Sequence, residues 1–130
     1  MSDGKKRLTI LVVDDEALLR WSLAEVLRRN GHTVIEATSA REALDAISPS
    51  SSVDAVLLDY RLPDSADLRL LEEIRRRLPR SPVVLMTAFG TPEVVQGALS
   101  LGAYRVLTKP FDMHGVEGLI TEAYGASRYH

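Results

Sequence analysis

The chain has no cysteine. That removes any disulfide framework and any thiolate metal site, and it suits a reducing compartment. Long apolar runs are missing as well: none exceeds about six residues, against the ~20 that a membrane-spanning helix needs. Residues 1–7 are polar and basic but lack the apolar stretch of a signal peptide. The expectation is a cytoplasmic protein with no membrane association. Nor does one sign of charge prevail: 16 Lys+Arg stand against 18 Asp+Glu, so nothing global recommends binding to nucleic acid or anionic membrane. Aromatic residues make up only 5% of the chain, too few for a platform that stacks single-stranded nucleic acid. The one cationic cluster, Arg75, Arg76, Arg77 and Arg80, reads as the solvated face of a helix.

What is there is an alternation of two periods. Short runs rich in β-branched residues at 8–13, 33–36, 53–58, 82–86 and 104–107 suit strands. Most are apolar throughout, as in a parallel sheet covered on both faces. Segments of helical period lie between them. The first, 16–29, puts Leu19, Leu23, Val26 and Leu27 on one stripe, and the second, 40–47, has Ser39 as cap with Glu42 three residues on. The third, 67–78, carries Leu70, Leu71, Ile74 and Leu78; the fourth, 92–101, has Thr91 as cap and Pro92 at the first helical position; the fifth is about 113–124. Asn30-Gly31 and Leu101-Gly102 look like helix C-termini, where glycine takes a left-handed conformation at little cost. Residues 48–52 are the most loop-like stretch. Strict βα alternation implies an α/β fold with a parallel sheet and right-handed crossovers. Five strands and five helices fit a flavodoxin-like, doubly wound sheet of order 2-1-3-4-5 with helices on both faces. The chain is then one domain, 1–130, with its core at about 8–126, large enough to need no disulfide or structural metal.

In such a sheet ligands sit outside the carboxyl ends of the strands. The first run ends in Asp14-Asp15-Glu16, the third in Asp59, the fourth in Thr87-Ala88 and the fifth in Thr108-Lys109-Pro110. Singly, each has a bland reading. An Asp or Thr after a strand commonly caps a turn or helix, and Asp14-Asp15-Glu16 would suit a helix N-terminus by charge alone. Those readings do not explain why acids, a hydroxyl and a lysine meet at one edge. Carboxylates pressed together raise one another's pKa unless a cation shares the site. Hard oxygen ligands with room for water suit Mg²⁺ better than zinc. A carboxylate so placed is a competent nucleophile toward a phosphoryl group, with Lys109, the Thr87 hydroxyl and backbone N–H groups to hold its oxygens.

Val12-Val13-Asp14-Asp15-Glu16, Leu57-Leu58-Asp59-Tyr60-Arg61-Leu62-Pro63, Met86-Thr87-Ala88 and Thr108-Lys109-Pro110-Phe111 stand in that order along the chain. Together they resemble the receiver domain of two-component response regulators, over about 8–126. The resemblance implies Asp59 as the phosphoacceptor, with Asp15, Asp59 and the backbone carbonyl of Arg61 as direct Mg²⁺ ligands. Asp14 would act mainly through metal-bound water. Thr87 and Lys109 would bind the phosphoryl group, and the Lys109–Pro110 peptide would be cis. A sensor histidine kinase or a small phosphodonor is the implied source of phosphate. The domain would be a switch that promotes only its own phosphorylation and dephosphorylation, not an enzyme. Leu19-Arg20-Trp21-Ser22-Leu23 and Met86-Thr87-Ala88-Phe89-Gly90 further resemble receivers of the nitrogen-regulation type, which precede an ATPase module and a DNA-binding domain. Transcriptional control by such output domains is the implied end. Trp21 by itself reads as a partly buried helix residue. The signalling face is expected on the fourth helix, fifth strand and fifth helix, as a contact for an output domain or a homodimer, because Thr87 and Lys109 begin the loops into those two helices.

Some positions depart from the family pattern. Asp64-Ser65-Ala66-Asp67 stands where most members have a turn ending in Asp-Gly, and Asp67 is a candidate cap for the third helix. Val106 stands three residues before Lys109, where an aromatic switch residue is usual. Tyr104 lies two residues earlier, on the same strand face by alternation, and the switch role is not transferred to it. Phe89, two residues after Thr87, is a candidate for limiting water attack on an acyl phosphate. Three rival readings fare worse. A receiver-like scaffold that only binds proteins would not need the intact acid, threonine and lysine set. A Mg²⁺-dependent phosphatase would want a second acid where Arg61 stands, and a cap domain. A flavin protein would want a phosphate-cradling loop after the first strand, where the acids would repel the cofactor.

Overall fold

The computed structural model describes residues 6–48 and 51–128. Most of the polar start, and residues 49–50 of the loop-like stretch, lie outside the described residues. Five parallel strands form one sheet: β1 (Thr9–Val13), β2 (Thr33–Ala37), β3 (Ala55–Asp59), β4 (Val83–Thr87) and β5 (Arg105–Thr108). Their order is β2-β1-β3-β4-β5, as the alternation predicts. The helices are α1 (Ala17–Arg29), α2 (Ala40–Ala46), α3 (Arg69–Arg77), α4 (Pro92–Ser100) and α5 (Val116–Ser127).

Alternate residues of the inner strands feed two cores. Ile10, Val12, Ala55, Leu57, Val84 and Met86 pack with Leu23, Ala24 and Leu27 of α1 and with Val116 and Ile120 of α5. Leu11, Val13, Val56, Leu58, Val83 and Leu85 pack with Ala43 of α2, Leu70, Leu71 and Ile74 of α3, and Ala98 of α4. Two helices therefore cover one face and three the other. Each large aliphatic side chain so buried contributes about 1.5–3 kcal/mol.

The caps follow the sequence. Ser39 Oγ accepts the Glu42 N–H at 3.1 Å, and Thr91 Oγ1 accepts the Val94 N–H at 3.3 Å. Gly31 and Gly102 close α1 and α4 with φ of 91° and 100°, which other residues rarely adopt. Asp67, the candidate cap of α3, is not its cap residue: Leu68 holds that position without a side-chain bond, and Asp67 Oδ1 accepts the Arg69 N–H at 2.9 Å from one residue before it. Residues 113–115, expected as the first turn of the last helix, form a 3-10 turn ahead of it.

Four features correct the sequence reading. The last three strands each run one residue beyond their apolar run, so Asp59, Thr87 and Thr108 are strand residues, with Asp59 paired to Met86 and Thr87 to Thr108. A ladder belongs to the backbone, and a polar side chain does not end it while its N–H and C=O have neighbours. Residues 53–54, Pro82 and Tyr104, at the expected starts, precede the ladder. Trp21 is 57% exposed; two residues from Leu23, it falls on the far side of α1 from the packed stripe. Arg75 is not part of a solvated face: its guanidinium donates to the carbonyls of Ser81 at 2.8 Å, Pro79 at 3.3 Å and Leu78 at 3.4 Å, closing the end of α3. Arg76 and Arg77 pair instead with Glu73.

A buried imidazole links β1, the turn before β2, and α5. His32 Nδ1 accepts the Leu8 N–H at 3.0 Å, which leaves the ring proton on Nε2, 2.8 Å from Glu117 Oε2. His32→Ala strands a buried N–H, at a cost of about 2–3 kcal/mol. Urea unfolding should show that loss with an unchanged slope; a variant as stable as wild type would contradict the assigned bonds.

Candidate functional site

The ends of four strands converge. Asp14 and Asp15 follow β1, Asp59 closes β3, Thr87 closes β4 and Lys109 follows β5. One carboxylate oxygen from each of Asp14, Asp15 and Asp59 lies within 4.8 Å of the others. Asp14 and Asp59 are buried and Asp15 is exposed, so the cluster opens to solvent on one side. Lys109 reaches across the end of β4 to them. Its Nζ stands 3.2 Å from Asp14 Oδ2, 3.3 Å from Asp59 Oδ1 and 3.5 Å from Glu16 Oε1. The peptide between Lys109 and Pro110 is cis, as the motif implies.

Asp14 is held at every polar atom. Oδ1 accepts the Glu16 N–H at 2.8 Å, its own N–H donates to the Ala37 carbonyl at 3.0 Å, and its carbonyl accepts Arg20 Nη1 at 2.9 Å. Arg20 is itself oriented by Glu36 of β2, at 3.0 Å. The parts played by Arg20 and Glu36 are not legible in the motifs. The only hint is the cationic residue in Leu19-Arg20-Trp21, and its target is a backbone atom that no spacing rule names.

Electrostatics set Asp59 and Lys109 apart from an ordinary carboxyl and an ordinary lysine. Burial first, and then the Asp14 charge, push the Asp59 carboxyl up to about 6, against the pull of Lys109. Burial works against the Lys109 ammonium, but Asp59 and Asp14 outweigh it and hold its pKa above the usual lysine range. An all-oxygen cluster with more negative charge than one ammonium can offset fits a hard divalent cation.

Thr87 is buried beside this group, and its Oγ1 accepts the Phe89 N–H at 3.0 Å. The Lys109 N–H donates to the Thr87 carbonyl at 2.7 Å, so the two residues are joined through the backbone. Arg61 donates its backbone N–H to Asp59, while its guanidinium lies 5.4 Å from the centre of the Phe89 ring. Val106 packs among the residues under α3 and α4. Tyr104 precedes β5, so strand alternation does not govern it; its hydroxyl donates to Glu122 of α5 at 2.6 Å.

An open α/β sheet with acids at β1 and β3, a hydroxyl at β4 and a lysine after β5 describes a class, and the chain belongs to it: residues 10–121 match the response regulator receiver domain family. Family members are signalling switches, and regulators of the NtrC and NtrX type are prominent among the relatives. The DNA-binding transcriptional regulator NtrC of Escherichia coli (strain K12) is 35% identical over 118 residues, 91% of this chain and 25% of that protein. The crystal structure of the NtrX receiver domain from Brucella abortus is 36% identical with a TM-score of 0.80, covering 89% of this chain and 98% of that one. A CheY-like receiver domain protein from Methanospirillum hungatei JF-1 is 26% identical with a TM-score of 0.88, covering 95% and 98%. The chain spans about a quarter of the length of the curated relatives it matches.

The raised Asp59 pKa has a sign that can be tested. Because the native value of about 6 lies above the ordinary 3.8, the folded state keeps a proton through that range that the unfolded chain has lost. The Asp59 contribution to stability is thus present below about pH 4 and is lost as pH rises through about 6. Asp59→Asn should stabilise the metal-free protein at pH 7.5 by roughly 1–2 kcal/mol, allowing for solvent screening, and by little at pH 4. Urea titrations at the two pH values check this, and an Asn variant weaker than wild type at pH 7.5 would reverse the assignment.

Proposed function

We propose that the chain is a single receiver domain, residues 1–130, in which Asp59 accepts a phosphoryl group in a Mg²⁺-dependent reaction. The donor is a sensor histidine kinase or a small phosphodonor. The observation that carries this reading is the Lys109 ammonium, set 3.2 and 3.3 Å from Asp14 and Asp59 at the edge of the three-carboxylate cluster. Asp15, Asp59 and the Arg61 carbonyl would hold the Mg²⁺, with Asp14 acting through water. Bound there, the ion supplies positive charge that offsets the phosphoryl oxygens. Ionised Asp59 attacks phosphorus, and the bond to the donor's nitrogen or oxygen breaks with its electron pair leaving on the donor. Lys109 then turns from the carboxylates to a phosphoryl oxygen. Thr87 gives up its bond to the Phe89 N–H to reach another. Phe89, 61% exposed, beside Arg61 and two residues after Thr87, would slow the return of water to the acyl phosphate.

We further infer that α4, β5 and α5 form the signalling face, for an output domain or a homodimer. The expected outputs are an ATPase module and a DNA-binding domain, with transcription as the controlled process. Coupling is supported by two contacts. One is the Lys109 N–H to Thr87 carbonyl bond. The other is Gly90, where an added Cβ would meet Thr108 Oγ1 at 2.5 Å, so the β4–α4 loop lies directly on β5. With valine at 106, backbone movement of residues 87–92 carries the change. A full swing of such an equilibrium needs about 5.5 kcal/mol of differential binding.

Acetyl phosphate with Mg²⁺ should add one hydroxylamine-labile phosphoryl group, and Asp59→Asn should abolish it with the fold intact. Label persisting in that variant, on serine or histidine, would sink the proposal. Hydrogen exchange with and without beryllofluoride, a tetrahedral phosphate mimic, tests the face. Protection should change at residues 87–101 and in α5; changes confined to α1 and α2 would show that both surface and route are wrong.

A further inference from the structure

The loop that leaves Asp59 is fastened to a distant helix. Leu62 and Ser65 exchange backbone hydrogen bonds of 2.7 and 3.2 Å, closing a tight turn with Pro63 and Asp64 at its tip. Leu62 is buried, so the turn is seated on the core. From the tip, Asp64 Oδ1 accepts the Ala40 N–H at 2.8 Å and Oδ2 accepts the Arg41 N–H at 3.1 Å. Ser39 takes the Glu42 N–H. The opening N–H groups of α2 have no partner inside the helix, and two of them are met from this loop.

The consequence falls on Arg61. Tyr60 is fixed on one side, its N–H donating to the Met86 carbonyl at 2.8 Å, and Leu62 on the other by the turn. Arg61 is the single residue between two anchored neighbours, and a residue spans only about 3.3–3.6 Å of chain. We infer that Asp64 is a positioning residue for the cation site, clamping the 62–65 turn to α2 and so fixing the direction of the Arg61 carbonyl. A two-point carboxylate contact sets orientation as well as distance, which one hydrogen bond would not. The inference rests on the Mg²⁺ reading above.

Mg²⁺ titrated into the whole chain, followed by amide chemical shifts, tests it alongside thermal denaturation. Asp64→Ala should weaken Mg²⁺ binding by about tenfold, as loss of the contacts behind a metal ligand does. Asp64→Asn should weaken it less, because an amide oxygen still accepts an N–H. Ser39→Ala is the control. It strips a cap from the same turn of α2 and lowers the melting temperature without touching the loop, so its Mg²⁺ affinity should stay within about twofold of wild type. If Asp64→Ala binds as wild type does, or Ser39→Ala weakens binding equally, the positioning role is overturned and the metal site stands. A wild-type chain with no response to Mg²⁺ overturns both.

Discussion

One ammonium between two buried carboxylates is what allows the ends of β1 and β3 to lie side by side. Unit charges about 4 Å apart interact by ~4 kcal/mol in the partly screened setting of a protein rim, so Asp14 and Asp59 would push that edge apart if nothing stood between them. Lys109 supplies the counter-charge from β5, with its ammonium within 3.3 Å of both. The compensation is incomplete, since a single positive charge faces Asp14, Asp59 and the exposed Asp15 and Glu16. Burial first, and the uncompensated Asp14 charge after it, raise the Asp59 pKa. A local excess of negative charge follows from this shortfall, and burial together with that charge makes Asp59 ionise nearer neutrality than an ordinary carboxyl. A complete ion-pair network would be more stable and would attract no cation.

The same lysine ties the acid cluster to the strands beyond β3. To meet the acids it must pass over the end of β4, where Thr87 is buried. The two are already joined by the Lys109 N–H to Thr87 carbonyl bond, and Gly90 packs on Thr108 with no room for a side chain. On the proposed function, a displacement of Lys109 toward an incoming anion would pull on the β4–α4 loop through the backbone. No aromatic at position 106 is needed for that route. Val106 packs with the core under α3 and α4, and Tyr104 is engaged by Glu122.

The fold and the rim of the site were legible because they rest on periodicity and on strand ends. The sheet order follows from βα alternation, and Asp14, Asp15, Asp59, Thr87 and Lys109 follow from the residues that close each apolar run. The errors share one cause. Apolar pattern marks where side chains are buried, whereas ladders, caps and exposure depend on backbone partners and helix phase. Asp59 and Thr87 thus pair within strands that the pattern ends one residue early. Trp21, which reads as a partly buried helix residue, is exposed because it lies two residues from Leu23 and so off the packed stripe. Arg75 looked like its neighbours Arg76 and Arg77 but bonds three carbonyls beyond α3.

The contacts that the motifs do not contain act on backbone atoms. Arg20 holds the carbonyl of Asp14, Asp64 holds two N–H groups of α2, and neither touches a reacting atom. Such contacts leave a weak trace in sequence because a backbone carbonyl or N–H is present at every ordinary residue, so many side chains from many positions can meet it. A carboxylate that must share one strand edge with two other acids and a lysine has no such freedom. This difference explains how the turn after Asp59 can lack glycine without losing its place. Where a glycine would let the chain bend freely, Pro63 limits the backbone and Asp64 fastens it from outside. The residues clustered at the strand ends are fixed by side-chain chemistry and share one pattern, while those that hold the backbone around them are fixed only by geometry.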